Sequence, residues 1–189
     1  MKTLNLLISG VGGQGILLAG RVLGALAALE GLDCKASEVH GMAQRGGSVI
    51  THVRMGEKVY SPLIEKGCGD ILVAFEPLEA LRYAQYVRPG GAVVVNTRRI
   101  APMGVLQGTD AYPENPLAPL EGAMEIICLD ALELAQSCGN PRGVNLVLLG
   151  TLSTRLPFSE ASWHTAIAQC VPPKTLEGNL RAFALGLAW

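Results

Sequence analysis

The residues with the clearest chemical capability lie in a glycine-rich loop near the N-terminus. The segment Gly10-Val11-Gly12-Gly13-Gln14-Gly15 fits the pattern GxGxxG and lies between a predicted strand at 4–9 and a predicted helix at 14–30. Glycine allows positive φ and close approach of the backbone, and the free N–H groups at a helix N-terminus attract anions. We predict an anion- or phosphate-binding loop formed by Gly10, Gly12, Gly13, Gln14 and Gly15.

Whether this loop binds a nucleotide depends on the second strand and the segment after it. A dinucleotide site also needs an acidic residue at the end of the second strand to hold the ribose, and Glu38 is available there. However, Glu38 leads into an unusual loop rather than into a crossover helix. Two interpretations therefore stay open: the glycines bind a nucleotide, or they only permit tight packing of the strand against the helix.

The second loop, residues 40–47, is the more specific signal. An arginine followed by two glycines places a fork-shaped donor beside flexible backbone, which suits a carboxylate, a phosphate or the backbone of a partner. The alternative is a surface hairpin with a solvated Arg45. An imidazole in such a loop could transfer a proton, but we expect interface or structural use first and assign no catalytic residue. The predicted active-site-lining or partner-contact residues are His40, Gly41, Met42, Gln44, Arg45, Gly46 and Gly47.

The other metal-ligating side chains do not form a recognisable site. The five cysteines are scattered and form no CxxC pair, whereas zinc and iron–sulfur sites usually have clustered ligands. His52 lies in an alternating strand and His164 in a terminal helix, so both are predicted to be structural. We expect no metal, no cluster and no disulfide in this chain.

Composition points to a partner protein rather than to nucleic acid. With 15 basic and 16 acidic residues the net charge is -1, which does not favour binding to nucleic acid or to an anionic membrane. Charged residues make up 16% of the chain, against roughly 25% in an average soluble domain. We infer that part of the surface is covered by another chain. The sequence has neither a membrane span nor a signal-peptide pattern, so we expect a cytoplasmic protein.

The order of predicted elements favours one α/β domain over residues 1–189. Apolar runs at 4–9, 71–76 and 92–96 predict buried strands, and further strands are predicted at 34–39 and 125–129, with helices between and after them. The segments 49–54 and 58–63 predict an inserted β-hairpin, and residues 101–122 a loop with a short strand near 103–106. The expected fold is a Rossmann-like, mostly parallel sheet with that hairpin and a helical C-terminal third.

The two loops together resemble a known family. The GVGGQG loop, followed by Ser37-Glu38-Val39-His40-Gly41-Met42-Ala43-Gln44-Arg45-Gly46-Gly47-Ser48, is similar to the gamma-type domain of the pyruvate/2-oxoacid:ferredoxin oxidoreductases. The form SEVHGMAQRGG is most similar to the small subunit of the indolepyruvate type. The resemblance continues through 70–78, 140–150 and 179–183, and so covers most of the chain.

The resemblance implies a division of labour between subunits. Enzymes of this family oxidise a 2-oxoacid to an acyl-CoA and carbon dioxide, and they reduce ferredoxin. In the indolepyruvate type the large subunit carries thiamine diphosphate with magnesium and the iron–sulfur clusters, so the small subunit holds no cofactor. In agreement, this sequence lacks the Gly-Asp-Gly and Asn-Asn thiamine-diphosphate signature, which Gly69-Asp70-Ile71 matches only in part.

We expect the isolated chain to be inactive and to form a homodimer through the surface that its large partner would cover. Two other functions stay open at this point. The chain could be a standalone oxidoreductase that binds NAD or FAD at the glycine loop. It could also be a scaffolding subunit whose two loops are buried against a partner. Asn145, near the start of an apolar helix, is a candidate to hydrogen-bond the glycine loop.

Overall fold

A computed structural model describes residues 2–41 and 46–189 of the chain. Met42, Gln44 and Arg45, three of the predicted site residues, lie outside the described residues. The described strands are β1 (Leu4–Val11), β2 (Asp33–His40), β3 (Ser48–Gly56), β4 (Gly69–Ala74), β5 (Val87–Asn96) and β6 (Glu125–Leu129). The helices are α1 (Ile16–Leu29), α2 (Pro77–Tyr83), α3 (Met103–Leu106), α4 (Ala131–Ser137), α5 (Val144–Ser153), α6 (Glu160–Cys170) and α7 (Pro173–Leu187).

The strands form a single mixed sheet in the order β2-β3-β1-β4-β5-β6. The neighbours β1, β4, β5 and β6 are parallel, whereas β3 is antiparallel to both β1 and β2. Only β3 therefore runs against the common direction. With α4 to α7 filling the C-terminal third, the predicted fold class is confirmed.

The inserted hairpin exists, but one of its two predicted arms is wrong. Its arms are β2 and β3, joined by the loop 40–47, and β3 lies between β1 and β2. Residues 57–66, all described, form no strand. Pro62 cannot donate to a ladder, and the backbone N–H of Val59 is bound by the carboxylate of Asp33 at 2.9 Å instead. Because β3 is buried along most of its length, its backbone N–H and C=O groups need hydrogen-bond partners on both sides. The neighbouring strands β1 and β2 provide them.

Smaller differences concern the ends of elements. The short strand predicted near 103–106 is wrong: Met103–Leu106 is one turn of helix, closed by the Leu106 N–H on the carbonyl of Pro102 at 3.0 Å. The helix that begins at Pro77 ends at Tyr83, where a 3₁₀ turn leads directly into β5. Two helices have side-chain caps at their N-termini: Asp130 accepts from the N–H of Glu133 at 2.9 Å, and Ser159 accepts from that of Ser162 at 3.1 Å.

The two faces of the sheet bury different helices. On one face α1, α5, α6 and α7 form the larger hydrophobic core, whereas α2 covers the other face with a smaller one. Alternation along β1 serves both cores, because Leu6 and Ile8 face the first while Leu7 faces the second. No helix of the described residues is long and apolar enough to cross a membrane. The carboxyl ends of β1, β4 and β5 meet at one edge of the sheet, where the glycine loop lies.

Candidate functional site

The glycine loop connects β1 to α1 at the carboxyl edge of the sheet. Gly13 and Gly15 have φ of +103° and +88°, a region that side-chain-bearing residues rarely adopt. A Cβ on Gly10 would lie 2.8 Å from the Cβ of Phe75, so that position also requires glycine for close packing. No side chain among the described residues caps α1. Its first N–H groups therefore face the loop without a side-chain acceptor, as an anion-binding turn requires.

Gln14 builds the loop rather than offering its amide to a ligand. Its Oε1 accepts from the N–H of Val11 at 2.7 Å, and its Nε2 donates to the carbonyl of Phe75 at 3.1 Å. The side chain thus ties the end of β1 to the end of β4. Anion binding by this loop stays a prediction. The backbone N–H groups of Val11, Gly12 and Gln14 are already bound within the chain, so the other backbone N–H groups of the loop are the donors that remain for it.

The two predicted loops contact each other directly. The N–H of Gly12 donates to the carbonyl of Gly47 at 2.8 Å, and the N–H of Gly46 donates to the carbonyl of Gly12 at 3.3 Å. Gly46 has φ of +75°, which explains the need for glycine at the end of the second loop. One continuous surface therefore carries both sequence motifs.

The first of two clefts beside the loop lies towards β2. It has a volume of about 500 Å³ and is lined by Gly12, Gly13, Gly15, Ile16, Leu17, Glu38, His40 and Val49. His40 is exposed, with its Nδ1 2.9 Å from the carbonyl oxygen of Gly41. Glu38 lines the cleft, and its buried Oε2 has no hydrogen-bond partner among the described residues. Leu17 is 64% exposed at the mouth of this cleft.

The second cleft lies on the opposite side of the glycine loop. It has a volume of about 430 Å³ and is lined by Gly13, Gln14, Gly15, Asn96, Arg98, Ile100, Pro141, Arg142, Val144 and Asn145. Arg98 and Arg142 are exposed, and neither forms an ion pair with the described part of the chain. The N-termini of α1 and α5 both border this cleft. Two guanidinium groups and two helix N-termini give it a positive character.

Asn145 connects the second cleft to the glycine loop, as the sequence predicted. Its Nδ2 donates to the carbonyl of Gly15 at 3.4 Å, and the side chain is 5% exposed. A Cβ on Gly15 would lie 2.8 Å from that same Nδ2. The start of α5 is thus packed directly against the start of α1.

Two buried glutamates at the same edge of the sheet were missed by the sequence reasoning. Glu76 follows β4, is 1% exposed and caps α2 by accepting from the N–H of Glu79 at 3.0 Å. Its other oxygen accepts from the N–H of Ile100 at 3.2 Å and from the hydroxyl of Tyr112. Burial first, and then the bond to Glu76, raise the pKa of that tyrosine. Glu76 therefore fastens the segment after β5 to the sheet.

Glu79 makes a corresponding connection to the second loop. It is 3% exposed, accepts from the hydroxyl of Ser48, and pairs with Arg82 at 2.9 Å. Burial raises the pKa of its carboxyl above the ordinary value of 4.5, while the Ser48 bond and the Arg82 charge act in the opposite direction. The only sequence signal for either glutamate was the Glu-Pro helix start, which indicates a cap but not burial.

His52 has structural surroundings, and three of the five cysteine thiols are shielded enough from water to shift their pKa. His52 is buried, accepts from the N–H of Ile64 at 3.2 Å, and has a pKa lowered by burial, so the structural interpretation is confirmed. Burial also raises the pKa of the thiols of Cys34, Cys128 and Cys170. Within residues 2–41 and 46–189, no group of three or more His, Cys, Asp and Glu side chains is placed to hold a metal ion.

Comparison with known proteins shows the family. The model of the family described as pyruvate ferredoxin/flavodoxin oxidoreductase matches residues 5–189. The chain belongs to this family. The resemblance based on the two loops is thereby confirmed, and the chain is a subunit of an oxidoreductase of the 2-oxoacid:ferredoxin class.

Two relatives illustrate the range of similarity. Indolepyruvate oxidoreductase subunit IorB of Thermococcus kodakarensis is 43% identical, with 99% of this chain and 96% of the relative covered. 2-Oxoglutarate synthase subunit KorC of Methanocaldococcus jannaschii is 33% identical, with 95% of this chain and 89% of the relative covered. The match therefore spans most of the length of both relatives.

Solved structures share the fold at lower identity. The gamma subunit of a keto/oxoacid ferredoxin oxidoreductase from Geobacter sulfurreducens has a TM-score of 0.73 at 24% identity and covers 98% of this chain and 96% of its own. The 2-oxoglutarate:ferredoxin oxidoreductase of Magnetococcus marinus, solved with 2-oxoglutarate, coenzyme A and succinyl-CoA, has a TM-score of 0.77 at 23% identity. That match covers 100% of this chain but 31% of the larger chain.

Proposed function

We propose that this chain is the cofactor-free small subunit of a thiamine-diphosphate-dependent, cytoplasmic indolepyruvate (arylpyruvate):ferredoxin oxidoreductase. The observation that carries the proposal is the 43% identity to an indolepyruvate oxidoreductase subunit over nearly the whole of both chains. Its large partner would hold thiamine diphosphate, magnesium and the iron–sulfur clusters. When bound there, these groups supply the decarboxylation chemistry and the path of electrons to ferredoxin.

The described residues support the absence of these groups from this chain through the arrangement of their side chains. The five cysteines are scattered along the sequence, whereas the ligands of an iron–sulfur cluster are grouped. Glu76 and Glu79, the two buried carboxylates, are engaged by backbone and side-chain donors of this chain.

In this proposal the chain contributes the surface around the glycine loop to a site completed by the large subunit. Both the 2-oxoacid and coenzyme A, the co-substrate, are anions. The second cleft offers Arg98 and Arg142 beside two helix N-termini, and the second loop offers Arg45. These groups would attract and orient the anionic ends of the reactants, while the exposed Leu17 at the first cleft would contact the partner.

The first test separates the chain from its complex. We expect the purified chain, which we predict to form a homodimer through its uncovered partner surface, to show no turnover of indolepyruvate with coenzyme A and ferredoxin. Co-expression with its large subunit should yield a complex that forms indoleacetyl-CoA and reduces ferredoxin. Turnover by the isolated chain, or a complex that oxidises pyruvate or 2-oxoglutarate far better than indolepyruvate, would contradict the proposal.

Arg45→Ala in that complex distinguishes an active-site role from scaffolding. We expect the two subunits to co-elute as the wild type does, while turnover falls. If the variant instead fails to assemble, the second loop is an interface element and the scaffolding function is the better description. The NAD- or FAD-dependent alternative requires saturable binding of the dinucleotide by the isolated chain, which fluorescence titration measures.

The two arginines of the second cleft are expected to bind coenzyme A. Arg98→Ala and Arg142→Ala should each raise the KM for coenzyme A by about 10-fold or more, because a charge-assisted hydrogen bond contributes roughly 1.5–3 kcal/mol. The effect should shrink at high salt. Arg181→Ala, an exposed arginine of α7 that lines neither cleft, is the matched control and should leave the KM unchanged. If all three variants had the same KM for coenzyme A, the second cleft would not be a binding site for coenzyme A.

A further inference from the structure

The first cleft contains a buried acceptor that the described chain leaves without a partner. Glu38 lines this cleft, and its buried Oε2 accepts no hydrogen bond from residues 2–41 or 46–189. Thr51 lies directly opposite Glu38 on β3, and its buried hydroxyl likewise has no partner within those ranges. Buried polar atoms are nearly always hydrogen-bonded, so an unpaired one calls for an explanation. A donor on a ligand in the cleft would satisfy Glu38.

Apart from the exposed His40, the other walls of the first cleft are apolar side chains and glycine backbone. Ile16 and Val49 are 4% and 5% exposed, and Leu17 lies at the mouth. The three glycines of the wall present only peptide groups to the cavity. The volume of about 500 Å³ lies within the range of roughly 300–1,000 Å³ that small-molecule sites have. A mostly apolar cavity with one buried acceptor suits an aromatic ring that carries one N–H donor.

The width of this cleft follows from the position of β3 in the sheet. In a dinucleotide-binding fold the second strand neighbours the first, so the acidic residue at its end reaches a ribose beside the glycine loop. Here β3 lies between β1 and β2. Neighbouring strands are about 4.8 Å apart, so Glu38 lies about one strand spacing further from the loop than in that fold. The space between the glycine loop and Glu38 is therefore wide enough for a ring system, whereas a ribose beside the loop would lie too far from Glu38 to bind it.

Charge determines which end of a 2-oxoacid can enter this cleft. The carboxylate of Glu38 repels the carboxylate of the substrate, so the ring enters first and the 2-oxo carbon stays towards the mouth. Leu17 is exposed at that mouth, where the large subunit would close the site. The adenine ring of coenzyme A also carries N–H donors, but phosphate groups accompany it. Those groups favour the second cleft, which offers Arg98 and Arg142.

We propose that the first cleft binds the indole ring of the 2-oxoacid and that Glu38 accepts a hydrogen bond from the ring N–H. Glu38 is then a specificity-determining residue, which contacts the substrate but takes no part in breaking its bonds. A site built around a buried acceptor discriminates against an analogue that lacks the donor, because the acceptor stays unpaired when that analogue binds. This inference rests on the proposed function, which supplies indolepyruvate as the substrate.

A comparison of two substrates tests the proposal in the complex of both subunits. Indolepyruvate has the ring N–H, and phenylpyruvate lacks it. Glu38→Ala should lower kcat/KM for indolepyruvate about 10-fold or more, as the loss of a hydrogen bond to a charged group implies. The kcat/KM for phenylpyruvate should be unchanged or higher. Glu38→Gln should have a smaller effect, because its amide oxygen still accepts. Glu65→Ala, at an exposed glutamate that lines neither cleft, is the matched control and should behave as the wild type.

Three results of this comparison would overturn the proposal. Equal losses with both substrates would indicate general destabilisation of the complex. A wild-type ratio of the two kcat/KM values in Glu38→Ala would show that the ring N–H does not bind Glu38. A raised KM for coenzyme A, the same with either 2-oxoacid, would place the adenine ring in this cleft instead. In each case, turnover of indolepyruvate by the wild-type complex would leave the proposed function intact.

Binding of indole by the isolated chain gives a readout that needs no turnover. Saturation-transfer NMR should detect indole on the wild type, and 1-methylindole, which has no N–H, should bind several-fold more weakly. Glu38→Ala should abolish that difference, whereas Glu65→Ala should preserve it. Because every group of the site belongs to this chain, absence of indole binding, or equal binding of the two probes by the wild type, would also overturn the proposal. If the wild type distinguishes the probes but its complex has no 2-oxoacid activity, the proposed function fails while the ring site stands.

Discussion

Gly186→Ala is expected to destabilise the protein by about 3 kcal/mol, at the upper end of what overpacking usually causes. A Cβ at this position would lie 1.8 Å from the carbonyl oxygen of Val147, and 2.7 Å from its carbonyl carbon. Both are backbone atoms of α5, so neither can rotate away. The reverse contact is equally close, because a Cβ on Gly150 of α5 would lie 2.1 Å from the carbonyl oxygen of Phe183. The two helices must move apart to accept one methyl group.

The consequences extend beyond α7 because α5 is the central helix of the larger core. Its residues 145–153 are all buried, and Thr151 donates across the contact to the carbonyl of Gly186 at 3.0 Å. For a protein of this length, 3 kcal/mol corresponds to a fall in Tm of roughly 10 °C. Urea denaturation followed by circular dichroism gives the free energy of unfolding directly.

Gly178→Ala is the matched control for this prediction. Gly178 lies in the same helix, but a Cβ there would have its nearest contact at 3.6 Å, with the side chain of Asn140. Replacing a helical glycine that has room by alanine typically adds about 0.5–1 kcal/mol of stability. We therefore expect the two substitutions to have opposite signs. A similar effect from both would show that helix propensity, and not the close approach of α5 and α7, decides the outcome.

Apolar periodicity in the sequence was sufficient to predict the class of the fold and most of its elements. Buried parallel strands have nearly continuous apolar runs, and β4 and the later part of β5 show them clearly. Capping residues such as Asp130 and Ser159 act within their own helix, so local sequence reveals them. The pairing of β3 could not be derived in this way, because strand partners are chosen by contacts between distant parts of the chain.

In the candidate site, too, local sequence does not reveal contacts between residues that are distant in the chain. Each loop was evident from its glycines, yet the hydrogen bonds between Gly12 and Gly47 join residues far apart in the chain. Arg98 and Arg142 have no motif in common, and only the arrangement of β5 and α5 brings them to one cleft. Glu76 and Glu79 look like ordinary residues of a helix start. Their burial is a tertiary property, which no local pattern of charges reveals.

Glu76 and Glu79 have similar structural roles, but we expect substitution of Glu76 to destabilise the protein more. Both lie at the carboxyl edge of the sheet, and each fastens a segment that borders the glycine loop. Glu79 holds the end of the second loop through one hydroxyl. Glu76 receives three donors, two from the backbone and one from Tyr112, and is 1% exposed. The segment that contains Arg98 depends on it, because Ile100 and Tyr112 both belong to the stretch between β5 and β6.

Glu76→Ala is accordingly expected to lower the free energy of unfolding by about 3–5 kcal/mol, since each buried donor left without an acceptor costs about 1–3 kcal/mol. Glu76→Gln should lower the free energy of unfolding by less. Its amide oxygen still accepts a hydrogen bond, whereas its new NH₂ group faces a donor with which it cannot form one. Tyr112→Phe should cost about 1 kcal/mol, because it removes one donor and leaves the carboxylate with its backbone partners.

Trypsin cleavage after Arg98 and Arg99 measures the local consequence of these changes. Both arginines are exposed and immediately precede Ile100, whose N–H is bound by Glu76. Cleavage should become faster from Tyr112→Phe to Glu76→Gln and fastest in Glu76→Ala, because the hydrogen bonds that hold this segment are progressively weakened in that order. If Glu76→Ala lowered stability without any change in cleavage at this segment, the glutamate would act only as the cap of α2. Faster cleavage together with a raised KM for coenzyme A would instead connect this buried carboxylate to the second cleft, because Arg98 lies two residues before the tethered N–H.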